Sequence, residues 1–280
     1  MFERRGQVTI FIIVGIIILA LTGAVLLFRG YIATSTGQTE VESAQGALSF
    51  AIPVQDYIQT CLKSVGTDAL LFIGQHGGYY ELPVVADKAL GLPYYFLQNV
   101  TYLPSLNDVS EQLSLYVNDE LSFCLRNFDS FKNKGLIIPA GEIKASSQIS
   151  NESVQFVLDF PVSVQKGLSE TSLKDISAQI PSRLGVIYEV INQFVVEEQN
   201  HSTDICVSCL TDLVDENSLR AEMTLVENNT LIFSVSDRKS GYEYRYLAEY
   251  DFPLAEESPP VEEEVVQEVI ADEATAEPSE

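Results

Sequence analysis

The sequence predicts an α+β fold: an N-terminal transmembrane helix followed by an extracytoplasmic domain of helices and antiparallel sheet. Three observations carry this. Apolar residues recur at three- and four-residue spacing over 54–75, 107–126 and 182–197, the spacing switches to two over 143–164 and again over 219–250, and residues 8–28 form a 21-residue run without a charge. Spacings near 3.6 and 2 are those of a one-sided helix and a one-sided strand, and helices and hairpins in separate runs argue for α+β rather than alternating α/β. At about 1.5 Å rise per residue the uncharged run is roughly 32 Å long, matching a hydrocarbon core of about 30 Å.

Taken in order, residues 1–7 (MFERRGQ) are a short basic leader whose Arg4 and Arg5 favour a cytoplasmic N-terminus. After Arg29 the next Lys or Arg is Lys63, so the expected arrangement is single-pass in the cell membrane, N-terminus inside, with the lipid bilayer as partner of residues 8–28 and the bulk outside. The segment is too long, and lacks the small-residue cut site, for an ordinary secretory signal.

Arg4, Arg5, Gly6, Gln7, Val8 and Thr9 running directly into the apolar stretch resemble the class III signal peptide of archaeal type IV pilin-like proteins. The resemblance implies cutting between Gly6 and Gln7 with retention of the apolar helix. The fifth residue of such a mature chain is Phe11, where the family commonly carries the Glu that registers subunits in a filament. The whole chain also resembles uncharacterised single-anchor membrane proteins of small-genome archaea, through GQVTIFIIVGI at 6–16, GGYY at 77–80, IPSRLGVIYEV at 180–190 and ICVSCL at 205–210. That wider likeness implies no activity.

A polar stalk is expected over 29–53, then a domain over 54–254 with a subdivision allowed near 135–141. Pro53 suits a helix start, and the stripe Val54, Ile58, Cys61, Leu62, Val65, Ala69 and Phe72 predicts a helix over 54–75 ended by Gly77 and Gly78. Aromatic segments 79–85 and 92–97 read as edge strands because of Pro83 and Pro93. A second helix is expected over 107–126, capped by Ser105 or Asn107, with Val109, Leu113, Tyr116, Leu121 and Cys124 inward. A hairpin follows at 143–164 around Ser150, Asn151 and Glu152, then a strand over 173–180, a helix over 182–197 lying across the sheet, and a short helix over 204–216. Strands over 219–226, 231–237 and 242–250 close the domain. Residues 255–280 have too few apolar groups to offset ordering entropy, so a disordered tail is expected.

Forty acidic residues against 16 basic ones argue against nucleic-acid binding, since phosphate backbones would repel the chain; ten of the acids lie in the last 25 residues. Cys61, Cys124, Cys206 and Cys209 are an even set, and an external compartment permits disulfides. The preferred pair is Cys61 with Cys124, which would join the first two helices and stabilise by about 4 kcal/mol on the chain-entropy view; buried free thiols are the alternative. Cys206-Val-Ser-Cys209 follows Thr203 and Asp204, candidate helix caps, and a helix N-terminus lowers a thiol pKa. That motif is read as a structural disulfide or thiols, a redox pair, or half of a four-thiolate zinc site; zinc normally needs a second such hook, and neither His76 nor His201 has the spacing to supply one.

Gly74 to Gly78 superficially resembles a phosphate loop but sits at a helix end with no Lys after it, so it reads as a cap and turn. Tyr242, Tyr244 and Tyr246 alternate on one strand face, either as a platform for a glycan or peptide or, more in keeping with the absence of Trp, packed at a sheet rim. Asp159, Glu189 and Glu197 are scattered, with no acid–base pair and no Ser/His/Asp signature. Sequons begin at Asn99, Asn151, Asn200 and Asn228, in agreement with an external domain. No catalytic constellation, metal site or cofactor is expected. The reading is a membrane-anchored surface protein with a structural or interaction role, with surface proteins or glycans as partners; an anchored ligand-binding module and an envelope thiol–disulfide oxidoreductase are the alternatives.

Overall fold

The computed structural model describes residues 17–18, 38–199, 201, 204–227 and 229–252, with side chains from residue 49 onward in those ranges and at 17–18. Gly6, Gln7, nearly all of the expected span 8–28, Asn200, Asn228 and the tail 255–280 lie outside the described residues. Ile17 and Ile18 are helical and exposed, and among the described residues no helix is long and apolar enough to cross a membrane.

The organising element is helix α1 (Gln38–Gln75), 38 residues and about 57 Å long at the usual rise. It starts inside the expected stalk and passes through Pro53, which therefore sits within the helix and not at its start. Proline removes one backbone donor and crowds one carbonyl; the helix continues because Ala51, Val54, Ile58 and Leu62, on both sides of it, are all buried in the core. It ends where Gly77 (φ 56°) and Gly78 (φ 81°) take left-handed backbone, with the Gly78 N–H donating to the Ile73 carbonyl at 2.8 Å.

Short strands β1 (Ala86–Asp87), β2 (Leu92–Leu97) and β3 (Val100–Thr101) follow. Segment 79–85 is not the expected strand. The backbone N–H groups of Tyr80 and Glu81 instead donate to Gln112 Oε1 at 2.8 and 2.9 Å, so a side chain replaces a sheet partner. Helix α2 (Leu106–Leu125) is capped by Ser105 in a reciprocal box with Asp108. Its buried stripe is Val109, Leu113, Val117, Leu121 and Leu125. Tyr116 and Cys124, expected inward, are half-buried beside it, because the stripe falls one residue further on. Three successive non-glycine residues, Arg126, Asn127 and Phe128, have positive φ before the short helix α3 (Asp129–Lys132), and burial of Phe128 opposes that strain.

Strands β4 (Lys144–Ile149), β5 (Ser153–Asp159) and β8 (Ile176–Pro181) form an antiparallel sheet in the order β4-β5-β8. The strand expected to run from 154 to 164 breaks at Phe160 and Pro161, since proline cannot donate to a ladder. The chain restarts as the hairpin β6 (Ser163–Lys166) and β7 (Ser169–Ser172). Helices α4 (Leu184–Glu198) and α5 (Val207–Glu216) lead to β9 (Leu219–Glu227), β10 (Thr230–Asp237) and β11 (Glu243–Glu249).

The larger sheet has the order β1-β2-β11-β10-β9, with β3 also on β2. It is mixed and not antiparallel throughout: β2 runs parallel to β11, with Tyr94 opposite Leu247. β2 is flanked on its other side by β1 and β3, so Pro93 does not lie on a free edge. Helix α1 packs on α2, on β8 and on β11, while α4 packs on β10, β5 and α5, and α5 covers β9. One apolar core runs from Ala51 to Tyr250 and includes Leu136 and Ile138. Gly66 marks the closest approach of α1 to the smaller sheet: a Cβ there would lie 2.7 Å from Ile180 and 2.9 Å from Phe156.

Candidate functional site

The chemistry-bearing groups meet where α4 turns into α5. Helix α4 buries Leu184, Ile187, Ile191, Phe194 and Val195, and the same stripe continues to Glu198, whose side chain is 1% exposed. A carboxylate so buried needs donors. Its Oε1 accepts the backbone N–H of Cys206 at 3.0 Å, while Oε2 is buried without a hydrogen-bond partner of normal geometry among the described residues. Tyr246 approaches from β11 and Tyr250 from the residue just past its end, and the Tyr246 hydroxyl is likewise buried without a hydrogen-bond partner among the described residues.

Cys206 and Cys209 are joined in a disulfide across the first turn of α5. The cap of that helix is Cys206 rather than Asp204; its Sγ accepts the Cys209 N–H at 3.3 Å. Both cysteines are half-buried and open to solvent on one side, with Ser208 Oγ 3.7 Å from Cys206 Sγ. Burial raises the Glu198 pKa, partly opposed by the Tyr250 phenol, the Cys206 N–H and His201, and reinforced by Asp204. His201 and Asp204 pair with each other at 3.2 Å on the rim.

Cys61 and Cys124 form the second disulfide, joining α1 to α2 as the sequence suggested, and none of the four cysteines is free. The Tyr57 hydroxyl beside it donates to the Cys124 carbonyl at 2.8 Å.

The tyrosine face is interior. Tyr242, Tyr244 and Tyr246 are 7%, 0% and 1% exposed, so they are neither a platform for a ligand nor a sheet rim. Tyr246 stacks between Tyr95 (4.6 Å) and Phe233 (5.2 Å), and the Tyr95 hydroxyl donates to the Gly77 carbonyl at 3.0 Å while meeting the Tyr244 hydroxyl at 2.7 Å. Alternation placed these rings on one face; the cover supplied by α1 and β2 put that face inside. Burial drives the Tyr95, Tyr242, Tyr244 and Tyr246 pKa values well up.

Asn99 and Asn151 stand exposed at turns, Asn99 with φ 61°. Asp159, Glu189 and Glu197 are all exposed, and among the described residues no three His, Cys, Asp or Glu side chains gather as a metal site. His76 stacks on Phe72 at 4.0 Å with Nδ1 bonded to the Phe72 carbonyl, closing the turn after α1. Glu198 escaped the sequence reading because its charge masked its place on the α4 stripe; the three- and four-residue spacing from Ile191, Phe194 and Val195 was the available signal. No family model matches the sequence, and no curated protein or solved structure matches it.

Proposed function

We propose that this chain is a membrane-anchored surface protein with a structural or interaction role, in which α1 carries the α+β domain away from the bilayer on the outer side. The observation that supports it best is the cysteine chemistry: all four thiols are paired, one bridge fixing α1 to α2, as suits an oxidising extracytoplasmic compartment. The position of α1 agrees, since it begins ten residues past the uncharged run and its face from Ala51 to Ile73 is buried against α2, β8 and β11. Processing between Gly6 and Gln7 would make it pilin-like. Peptide mass spectrometry of the membrane-extracted protein, with thiol labelling before and after reduction, tests this reading. A mature chain starting at Gln7 with four oxidised cysteines supports it; an intact Met1 removes the pilin-like part, and four free thiols remove the external location.

A second reading, thiol–disulfide exchange at Cys206 and Cys209, is favoured by one observation. The half-exposed bridge spans a helix N-terminus, where a released thiolate is stabilised by the helix dipole and by the Cys209 N–H. If the bridge in the folded protein opens with dithiothreitol no faster than Cys61–Cys124, that reading fails.

A further inference from the structure

We infer that Glu198 is a proton-accepting positioning residue for a redox-active Cys206–Cys209 pair, so that opening of this disulfide by the dithiol of a protein segment is coupled to protonation of the buried carboxylate behind it. The inference rests on the exchange reading and adds to it the group that governs its pH dependence. Two geometric facts carry it: Glu198 is enclosed by the fold, and its Oε1 accepts the Cys206 backbone N–H at 3.0 Å, which holds the carboxyl directly behind the bridge.

The electron count is that of ordinary exchange. A substrate thiolate attacks Cys209 Sγ and forms a mixed disulfide; the Cys206–Cys209 bond breaks and its electron pair leaves on Cys206 Sγ, the sulfur that accepts the Cys209 N–H. The substrate's second thiolate then attacks the substrate sulfur of the mixed disulfide and releases Cys209, which takes up a proton. The substrate departs as a disulfide. Two electrons reach the two cysteines, and the two protons lost by the substrate end on Cys209 and on either Cys206 or Glu198.

A thiolate at Cys206 places a second negative charge on the residue whose backbone N–H the Glu198 carboxylate holds. Like charges in a confined site resist joint ionisation, and burial already favours the neutral carboxyl. Formation of the Cys206 thiolate therefore draws a proton onto Glu198. The other titratable groups facing it are His201 and Asp204 from the connecting loop, Tyr246 from β11 and Tyr250 just past its end. The first two pair with each other on the rim, and the burial-raised tyrosines stay neutral throughout the working range.

The test uses the full chain in detergent, with Cys206–Cys209 opened by mild dithiothreitol and Cys61–Cys124 verified intact. The rate of Cys206 alkylation by iodoacetamide is followed by peptide mass spectrometry from pH 5 to 9. Glu198→Gln mimics the protonated carboxyl, so just above the break that Glu198 ionisation puts in the parent's profile alkylation should be at least about threefold faster than in the parent, the change that half a pKa unit makes to a thiolate population. The profile should also simplify to a single ionisation. Tyr250→Phe removes the phenol that lowers Glu198, and should move the break in the parent's profile to higher pH while keeping its shape. Superimposable profiles for the parent and a folded Glu198→Gln protein would overturn the role of Glu198 while leaving exchange itself intact. If Glu198→Gln does not fold, an unmoved break in Tyr250→Phe overturns it equally. A bridge that fails to open selectively overturns the exchange reading first, and this inference with it.

Discussion

Removing the Cys61–Cys124 bridge through Cys61→Ala with Cys124→Ala should cost the domain about 4 to 5 kcal/mol. The cysteines are 63 residues apart in sequence. Closing a loop of that size lowers the entropy of the unfolded chain by about 14 cal/mol/K, or about 4.3 kcal/mol at 25 °C. Cys61 is also buried on α1, so truncating its sulfur adds a fraction of a kcal/mol. Alanine is chosen over serine because a hydroxyl at the Cys61 site would be buried in apolar surroundings. Unfolding about 200 residues at about 2.1 cal/mol/K each gives a melting entropy near 0.4 kcal/mol/K, so Tm should fall by about 10 °C. Urea unfolding followed by far-UV circular dichroism reads the free energy, and differential scanning calorimetry reads Tm. The double variant is preferred to reductant because reductant also opens Cys206–Cys209. A loss under about 1 kcal/mol with an unchanged urea slope would mean that the bridge does not constrain the unfolded chain, and labelling of Cys61 and Cys124 in the folded native protein would mean that it does not form.

Three further outcomes are expected. Arg183 donates to Asp237 Oδ1 at 3.0 Å and to the Asn217 carbonyl at 2.8 Å, so Arg183→Ala should cost about 2 kcal/mol in urea unfolding at pH 7. Burial raises the Asp237 carboxyl, but Ser240 and Arg183 outweigh it and leave the folded pKa depressed. The associated stability is therefore present above the unfolded pKa and lost as pH falls through the folded one; Arg183→Ala should move that acid limb to higher pH in a pH series of melts. Gly185→Ala would place a Cβ 2.5 Å from the Ser150 carbonyl oxygen, a backbone atom of the β4–β5 turn, and should cost about 1 to 3 kcal/mol by the same assay. Ser105→Ala removes the side chain that accepts the Asp108 N–H at 3.2 Å and should lower the urea midpoint by the equivalent of about 1 kcal/mol.

What the sequence disclosed follows from the range of each interaction. Helices α2 and α4 were legible because their apolar spacing is local, as was the termination of α1 by Gly77 and Gly78. The fate of Pro53 was not, because whether a helix survives a proline depends on packing from elements far along the chain. Parallel pairing of β2 with β11 joins residues about 150 apart and leaves no pattern in either strand. The tyrosine alternation was legible as a face but not as an inside face, since α1 and β2 cover it from another part of the chain. At the candidate site the two cysteines were visible from spacing alone. Glu198 lay on a readable stripe, but charge argues for the surface unless a partner is known, and that partner is a backbone N–H eight residues later.

The place of β11 inside the larger sheet, between β2 and β10, sets the order in which the protein can become whole. Made from the N-terminus at about 5 to 20 residues per second, the chain waits about 8 to 30 s between the synthesis of Tyr94 and that of its partner Leu247. Throughout that interval Tyr95 and Phe96 have no final cover. Interruption between Leu97 and Leu247 would therefore leave this sheet open and β2 an exposed, pairing-competent strand.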